Sequence, residues 1–100
     1  MINKMRPIHP GEILKAELEE LNLSANAFAK ALDVPTNRIT AILNKQRGIT
    51  ADTALRLARF FSSSPDFWMS LQSSYDVKLA RAAAGKDIEK NVKTKALLAA

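Results

Sequence analysis

The stretch "LSANAFAKALDVPTNRITAILN", residues 23–44, constrains the fold more than any other part of the chain. It holds two short helical patterns with only Asp33, Val34 and Pro35 between them. The first pattern places Phe28, Ala29 and Leu32 on one side, and the second places Ile39, Ile42 and Leu43 on one side. Two helices joined so tightly must cross at a steep angle, and such a crossing needs a small residue at the point of contact. Ala29 fills that place. Val34 is positioned to plug the turn, and Ile39 and Ile42 to anchor the second helix. These offsets are those of a helix-turn-helix. The turn position usually given to glycine is Asp33. Aspartate is among the residues that best tolerate a left-handed backbone, at a cost of about 1 kcal/mol relative to glycine.

With its inner face fixed, the second helix turns Thr36, Asn37, Thr40, Ala41 and Asn44 outward. These are small or hydrogen-bonding side chains, suited to base edges and to the thymine methyl in a DNA major groove. Arg38, Lys45 and Arg47 flank them, and Ser24 and Asn26 start the preceding helix; this group is expected to contact phosphates. The candidate site is therefore a reading surface bordered by backbone contacts.

The rest of the chain supplies a small helical body. Pro10 suits the first turn of helix 1, with His9 beside it at the helix start, and Ile13, Leu14, Leu18 and Leu21 form its apolar side. Ser24 caps helix 2 (residues 25–32), and Pro35 and Thr36 open helix 3. Gly48 supplies a flexible residue after helix 3. Thr50 caps helix 4, with Ala54, Leu57, Ala58 and Phe61 inward. Pro65 opens helix 5, whose stripe is Trp68, Leu71, Tyr75 and Leu79, and Gly85 is expected to close it. The predicted fold is all-α, a compact five-helix domain over residues 1–85, beginning with an arm at residues 1–8. Residues 86–100 are a charged, mobile tail. No strand alternation or internal repeat is visible.

Composition narrows the function. The 100 residues carry a formal net charge of +5, with 47% hydrophobic and 25% charged residues, which is the balance of a soluble globular chain. The charge is unevenly spread. Residues 1–10 hold Lys4 and Arg6. Residues 11–22 are acidic, with Glu12, Glu17, Glu19 and Glu20 against Lys15, and residues 24–47 are basic, with Lys30, Arg38, Lys45 and Arg47 against Asp33. A basic reading surface fits nucleic acid, and the acidic helix 1 calls for a different partner. The Lys86, Lys90, Lys93 and Lys95 run reads as a solvated charged face. There is no cysteine and one histidine, so neither a disulfide framework nor a metal site is expected. No nucleophile set or phosphate loop is present, so neither catalysis nor a cofactor is expected. With no signal-like or membrane-spanning stretch, a cytoplasmic location follows.

Residues 8–80 resemble the HigA-type antitoxins, a branch of the lambda-repressor-like regulators. The helix-turn-helix is shared widely; "HPGEIL", "ITADTALRLARFF" and "SPDFWMSLQ" carry the more specific likeness. The resemblance implies a homodimeric repressor of its own operon, binding a palindromic operator and neutralising a small basic ribonuclease toxin. Where such proteins often have glycine after the asparagine ending helix 3, this chain has Lys45. Trp68, Leu71 and Tyr75 are the expected dimer anchors or their immediate support. Glu12, Glu19 and Glu20, outward by helical projection, are the expected toxin contacts, since an RNA-cleaving toxin must itself be basic. Glu17 projects inward, where an ion pair with Arg56 or Arg59 is expected. Two rival readings stay open: a stand-alone regulator with no toxin, and a protein-interaction module that does not bind DNA.

Overall fold

The computed structural model describes residues 6–99; Lys4 and the rest of the first half of the expected arm lie outside the described residues. The described chain is helical throughout: α1 (Pro10–Leu21), α2 (Ala25–Leu32), α3 (Thr36–Leu43), α4 (Ala51–Phe61), α5 (Pro65–Asn91) and a short α6 (Lys95–Ala99). The expected five helices are present in the expected order.

Side chains cap the starts of α1, α2, α4 and α5, whereas α3 begins after Pro35 without a side-chain cap. The α1 cap is reciprocal: His9 Nδ1 accepts from the Gly11 N–H at 2.8 Å, and Glu12 Oε2 accepts from the His9 N–H at 3.1 Å, so two orphan donors of the first turn are satisfied. Ser24 Oγ accepts from the Ala27 N–H at 3.1 Å. Thr50 and Ser64 cap α4 and α5, and Pro65 opens α5 at the position where its missing N–H costs nothing. The left-handed residues are Asn22, Asp33, Lys45 and Ser62, with φ between 53° and 63°. None is glycine. Asp33 holds the turn as expected, its φ being 60°.

The core lies where α1, α2, α3, α4 and the first half of α5 meet. Leu14, Phe28, Ala29, Ile39, Ile42, Ala54 and Leu57 are fully buried. Burying one such large side chain contributes roughly 1.5–3 kcal/mol. Phe28 and Phe60 meet edge to face at 5.0 Å, and Phe61 lies against Trp68 at 5.7 Å.

Four expectations change. Helix 5 runs through Gly85 to Asn91, because a single internal glycine costs only about 1 kcal/mol and good helix formers flank it. This length makes the molecule 58 Å long and 24 Å across rather than evenly compact. Leu21 and Leu79 are exposed; each lies past the point where its helix touches the core. Glu17 is exposed, and Arg56 pairs with Asp52 instead, a partner one helical turn away on the same face. Gly48 has no positive φ. The left-handed residue after α3 is Lys45, and Gly48 instead makes room for the Gln72 side chain, which a Cβ would meet at 2.7 Å.

Candidate nucleic-acid interface

Helix α3 is held so that one side is buried and the other faces out. Ile39 and Ile42 are fully buried. Opposite them Asn37 and Asn44 are exposed, and Thr36, Thr40 and Ala41 are half-buried. All five expected reading residues thus share one surface. Thr40 Oγ1 donates to the Asn37 carbonyl at 3.3 Å. Thr36 Oγ1 donates to Asn26 Oδ1 at 2.8 Å. That bond joins the first turns of α2 and α3 and leaves the Asn26 amide N–H groups to donate outward.

The flanking cations divide into two groups. Near the start of α3, Arg38 Nη1 donates to Asp52 Oδ2 at 2.8 Å. Near its end, Lys45 and Arg47 are exposed, with Lys45 Nζ 3.8 Å from Glu12 Oε2. Ser24 is exposed but spends its hydroxyl oxygen on the α2 cap. The α2 N-terminus beside it still offers a positive dipole end to a phosphate.

Glu12 does not join Glu19 and Glu20 as a solvated acid. It is half-buried and accepts both Arg6 guanidinium N–H groups, at 3.0 and 2.7 Å. Those bonds, with the His9 N–H, hold its carboxyl well below the ordinary carboxylate range, at about 2. The exposed acids of α1 are Glu17, Glu19 and Glu20. Helical projection places Glu12 outward and Glu17 inward; capping instead turns Glu12 back onto the helix start, and Glu17 lies exposed.

On α5, Trp68 is buried within the monomer, so it supports the helix from inside. Leu71 and Tyr75 are half-buried, and the Tyr75 ring meets His9 edge-on at 4.9 Å. Phe67, Met69, Val77 and Ile88 are the large apolar side chains this helix exposes.

Asp52 and Gln72 escape a reading of the sequence alone, and Arg56 has a different partner from the one expected. Asp52 binds both Arg38 and Arg56, and Arg56 Nη1 donates to the carbonyls of Leu32 and Asp33 at 2.9 and 3.1 Å. Gln72 Oε1 accepts from the Ile49 N–H at 2.6 Å, tying the loop after α3 to α5. Only the Asp52–Arg56 spacing, four residues apart on one helix, carried a signal.

Two adjoining helices with a buried alanine on the first, a left-handed turn between them and an outward polar face on the second define the helix-turn-helix class. The Helix-turn-helix family matches residues 14–68. Virulence-associated protein I of Dichelobacter nodosus is 54% identical over 79 residues, spanning 78% of this chain and 73% of that protein. An addiction module antidote protein of the HigA family from Coxiella burnetii has a structure similar to this chain, with a TM-score of 0.89 and 62% identity. The match covers 90% of this chain and 99% of that one. The Pseudomonas aeruginosa antitoxin HigA, solved with the higBA promoter, gives a TM-score of 0.86 at 49% identity, again over 90% and 99% of the two chains. The chain belongs to the HigA-type antitoxins of the lambda-repressor-like helix-turn-helix family. Among its described residues no helix is long and apolar enough to cross a membrane.

Proposed function

We propose that this chain is a sequence-specific DNA-binding repressor and the antitoxin of a toxin–antitoxin pair. It acts in the cytoplasm, by binding and not by catalysis. The observation that carries the reading is the outward row Asn37, Thr40 and Asn44 on a helix whose other side is locked into the core. The similar Pseudomonas aeruginosa antitoxin was solved on promoter DNA. The α3 surface holds hydrogen-bonding groups of both senses and no acidic residue, which is the chemistry the major groove requires.

One such helix reads too few base pairs to be selective. The chain therefore acts as a two-fold dimer that presents two α3 helices about 34–36 Å apart on a palindromic operator. The exposed apolar residues of α5, backed by Leu71 and Tyr75, form the dimer contact. The partner it neutralises is a small basic ribonuclease, met by Glu17, Glu19 and Glu20 on α1. Complementary charge of this kind sets association rate and partner choice more than affinity.

The test has two arms. DNA upstream of the chain's own reading frame is footprinted, and affinity for that site is compared with random DNA by fluorescence anisotropy. Asn37→Ala is expected to cost roughly 1–3 kcal/mol on the site and little on random DNA. In parallel, the product of the neighbouring reading frame is mixed with wild type and with Glu19→Lys/Glu20→Lys, and slower association is expected for the variant. Equal loss on both DNAs refutes base reading by Asn37. Failure of any neighbouring product to bind leaves a regulator without a toxin.

A further inference from the structure

Arg38 lies on the flank of α3, with its side chain 24% exposed. Asp52 Oδ2 accepts from Arg38 Nη1 and from Arg56 Nε, each at 2.8 Å. Arg56 then reaches the two carbonyls that end α2, including that of the left-handed Asp33. One carboxylate on the first turn of α4 therefore connects the recognition helix to the turn that aims it. Its two arginines hold that carboxyl below its ordinary range, so it is charged at neutral pH. Among the described residues, the remaining Arg38 N–H groups donate to no protein acceptor.

We propose, resting on the DNA-binding reading above, that Asp52 is a positioning residue that sets DNA specificity through Arg38. An untethered arginine at this flank could swing to any phosphate within its reach, on matched and unmatched DNA alike. Tethered, its free N–H edge is fixed relative to the reading row. It then meets a phosphate where α3 sits in register, and no further side-chain freedom is lost on binding. The Asp52 charge adds the second half of the device. It stands beside the path of the backbone and repels phosphates that approach in other registers, so it lowers affinity for mismatched DNA more than for the operator. The pair spends an ion pair that adds little to fold stability at an exposed place on discrimination.

Asp52→Asn removes the charge while keeping the shape. Arg56 still binds the Leu32 and Asp33 carbonyls in this variant, so the turn keeps its support, and urea unfolding checks this. Affinity is measured by anisotropy on the footprinted duplex and on a scrambled duplex of equal length, over a range of salt. Random-DNA affinity is expected to rise, its salt slope steepening by about one unit as one net cation is gained. Operator affinity is expected to rise less or to fall, so that their ratio drops by about 3–10-fold. Asp52→Glu should restore most of the ratio. In an Arg38→Ala background only the direct repulsion by the Asp52 charge is left to lose, so Asp52→Asn should lower the ratio by a clearly smaller factor. If Asp52→Asn tightens both duplexes equally in the wild-type background, or if the ratio drops equally without Arg38, the inference is overturned. A wild-type chain that does not prefer the footprinted duplex removes the DNA-binding reading itself, and the inference with it.

Discussion

At its C-terminal end α3 meets backbone. Gly11 lies so close to the Ile42 carbonyl that a Cβ there would collide with it, and Gln72 holds the following loop at the Ile49 N–H. At its N-terminal end α3 is tied on its flank by charged side chains, Arg38 to Asp52 and Asp52 to Arg56. The first attachment is short, mostly buried and insensitive to salt. The second is exposed and ionic, so it is screened and adjustable. A helix that reads DNA needs both. The buried end fixes where it points, and the ionic end can exchange protein charges for phosphate charges without disturbing the core.

Gly11→Ala should break the rigid end, with the largest expected effect. The methyl group would meet a carbonyl oxygen that belongs to packed backbone, and neither α1 nor α3 can yield without moving Leu14 or Ile42. Overpacking of this kind costs about 1–3 kcal/mol or more. Urea unfolding should show a lower midpoint, and operator affinity should fall with it because α3 is displaced. An unchanged midpoint would mean that the two helices can slide apart freely, and the contrast between the two ends would disappear.

The two ends also differ in how far the sequence discloses them. The inner residues of α2 and α3 were legible because burial enforces a period: Phe28, Ala29, Leu32, Ile39 and Ile42 are buried, and Val34, which plugs the turn, is half-buried against them. Asp33 could be read because few residues accept its backbone angle. The role of Glu12 was present in "HPGE", where an acceptor at the cap and a glutamate three residues on make a capping box, but projection onto a wheel hid it. The Arg38–Asp52 pair joins two helices across 14 residues, and no local pattern announces such a contact. The length of α5 was missed for a different reason. Beyond Tyr75 the helix persists on the intrinsic propensity of its alanines and charged residues with little burial, so hydrophobic periodicity says nothing about where it stops.

His9 gives a smaller and pH-dependent way to probe the rigid end. It is buried, its ring against that of Tyr75. Burial first, and then the charge of Lys45, push its pKa below the ordinary 6.5, against the opposite pull of Glu12 and Asp76. A histidine whose folded value is depressed binds fewer protons folded than unfolded. Its contribution to stability is therefore complete above 6.5 and is lost as pH falls through that value toward the folded one. Glu12, held at about 2, stays ionised across this window, so the other half of the cap does not change with it. The urea midpoint should drop between about pH 7.5 and pH 5.5. His9→Asn, which keeps an acceptor at the cap, should flatten that dependence. A slope that survives the substitution would assign it to another group.

The smallest effect is expected at Lys45, where stability and DNA binding should move in opposite directions. Its φ is 63°, a conformation that costs an L-residue roughly 1–2 kcal/mol, at a position where the family often has glycine. Glycine removes that strain but adds conformational freedom to the unfolded chain, so the two terms partly cancel. The net gain for Lys45→Gly should therefore stay below about 1 kcal/mol. The same substitution deletes a cation that stands just past the reading row. Affinity should weaken on operator and random DNA alike, and the salt slope should become shallower by about one unit. Asp52→Asn is expected to differ on each count, with tighter binding to random DNA, a steeper salt slope and a lower operator-to-random ratio. A more stable Lys45→Gly protein that binds DNA as tightly as wild type would show that the strain at Lys45 does not serve a phosphate contact. A less stable one would show that the ion pair with Glu12, and not the backbone angle, decides the residue there.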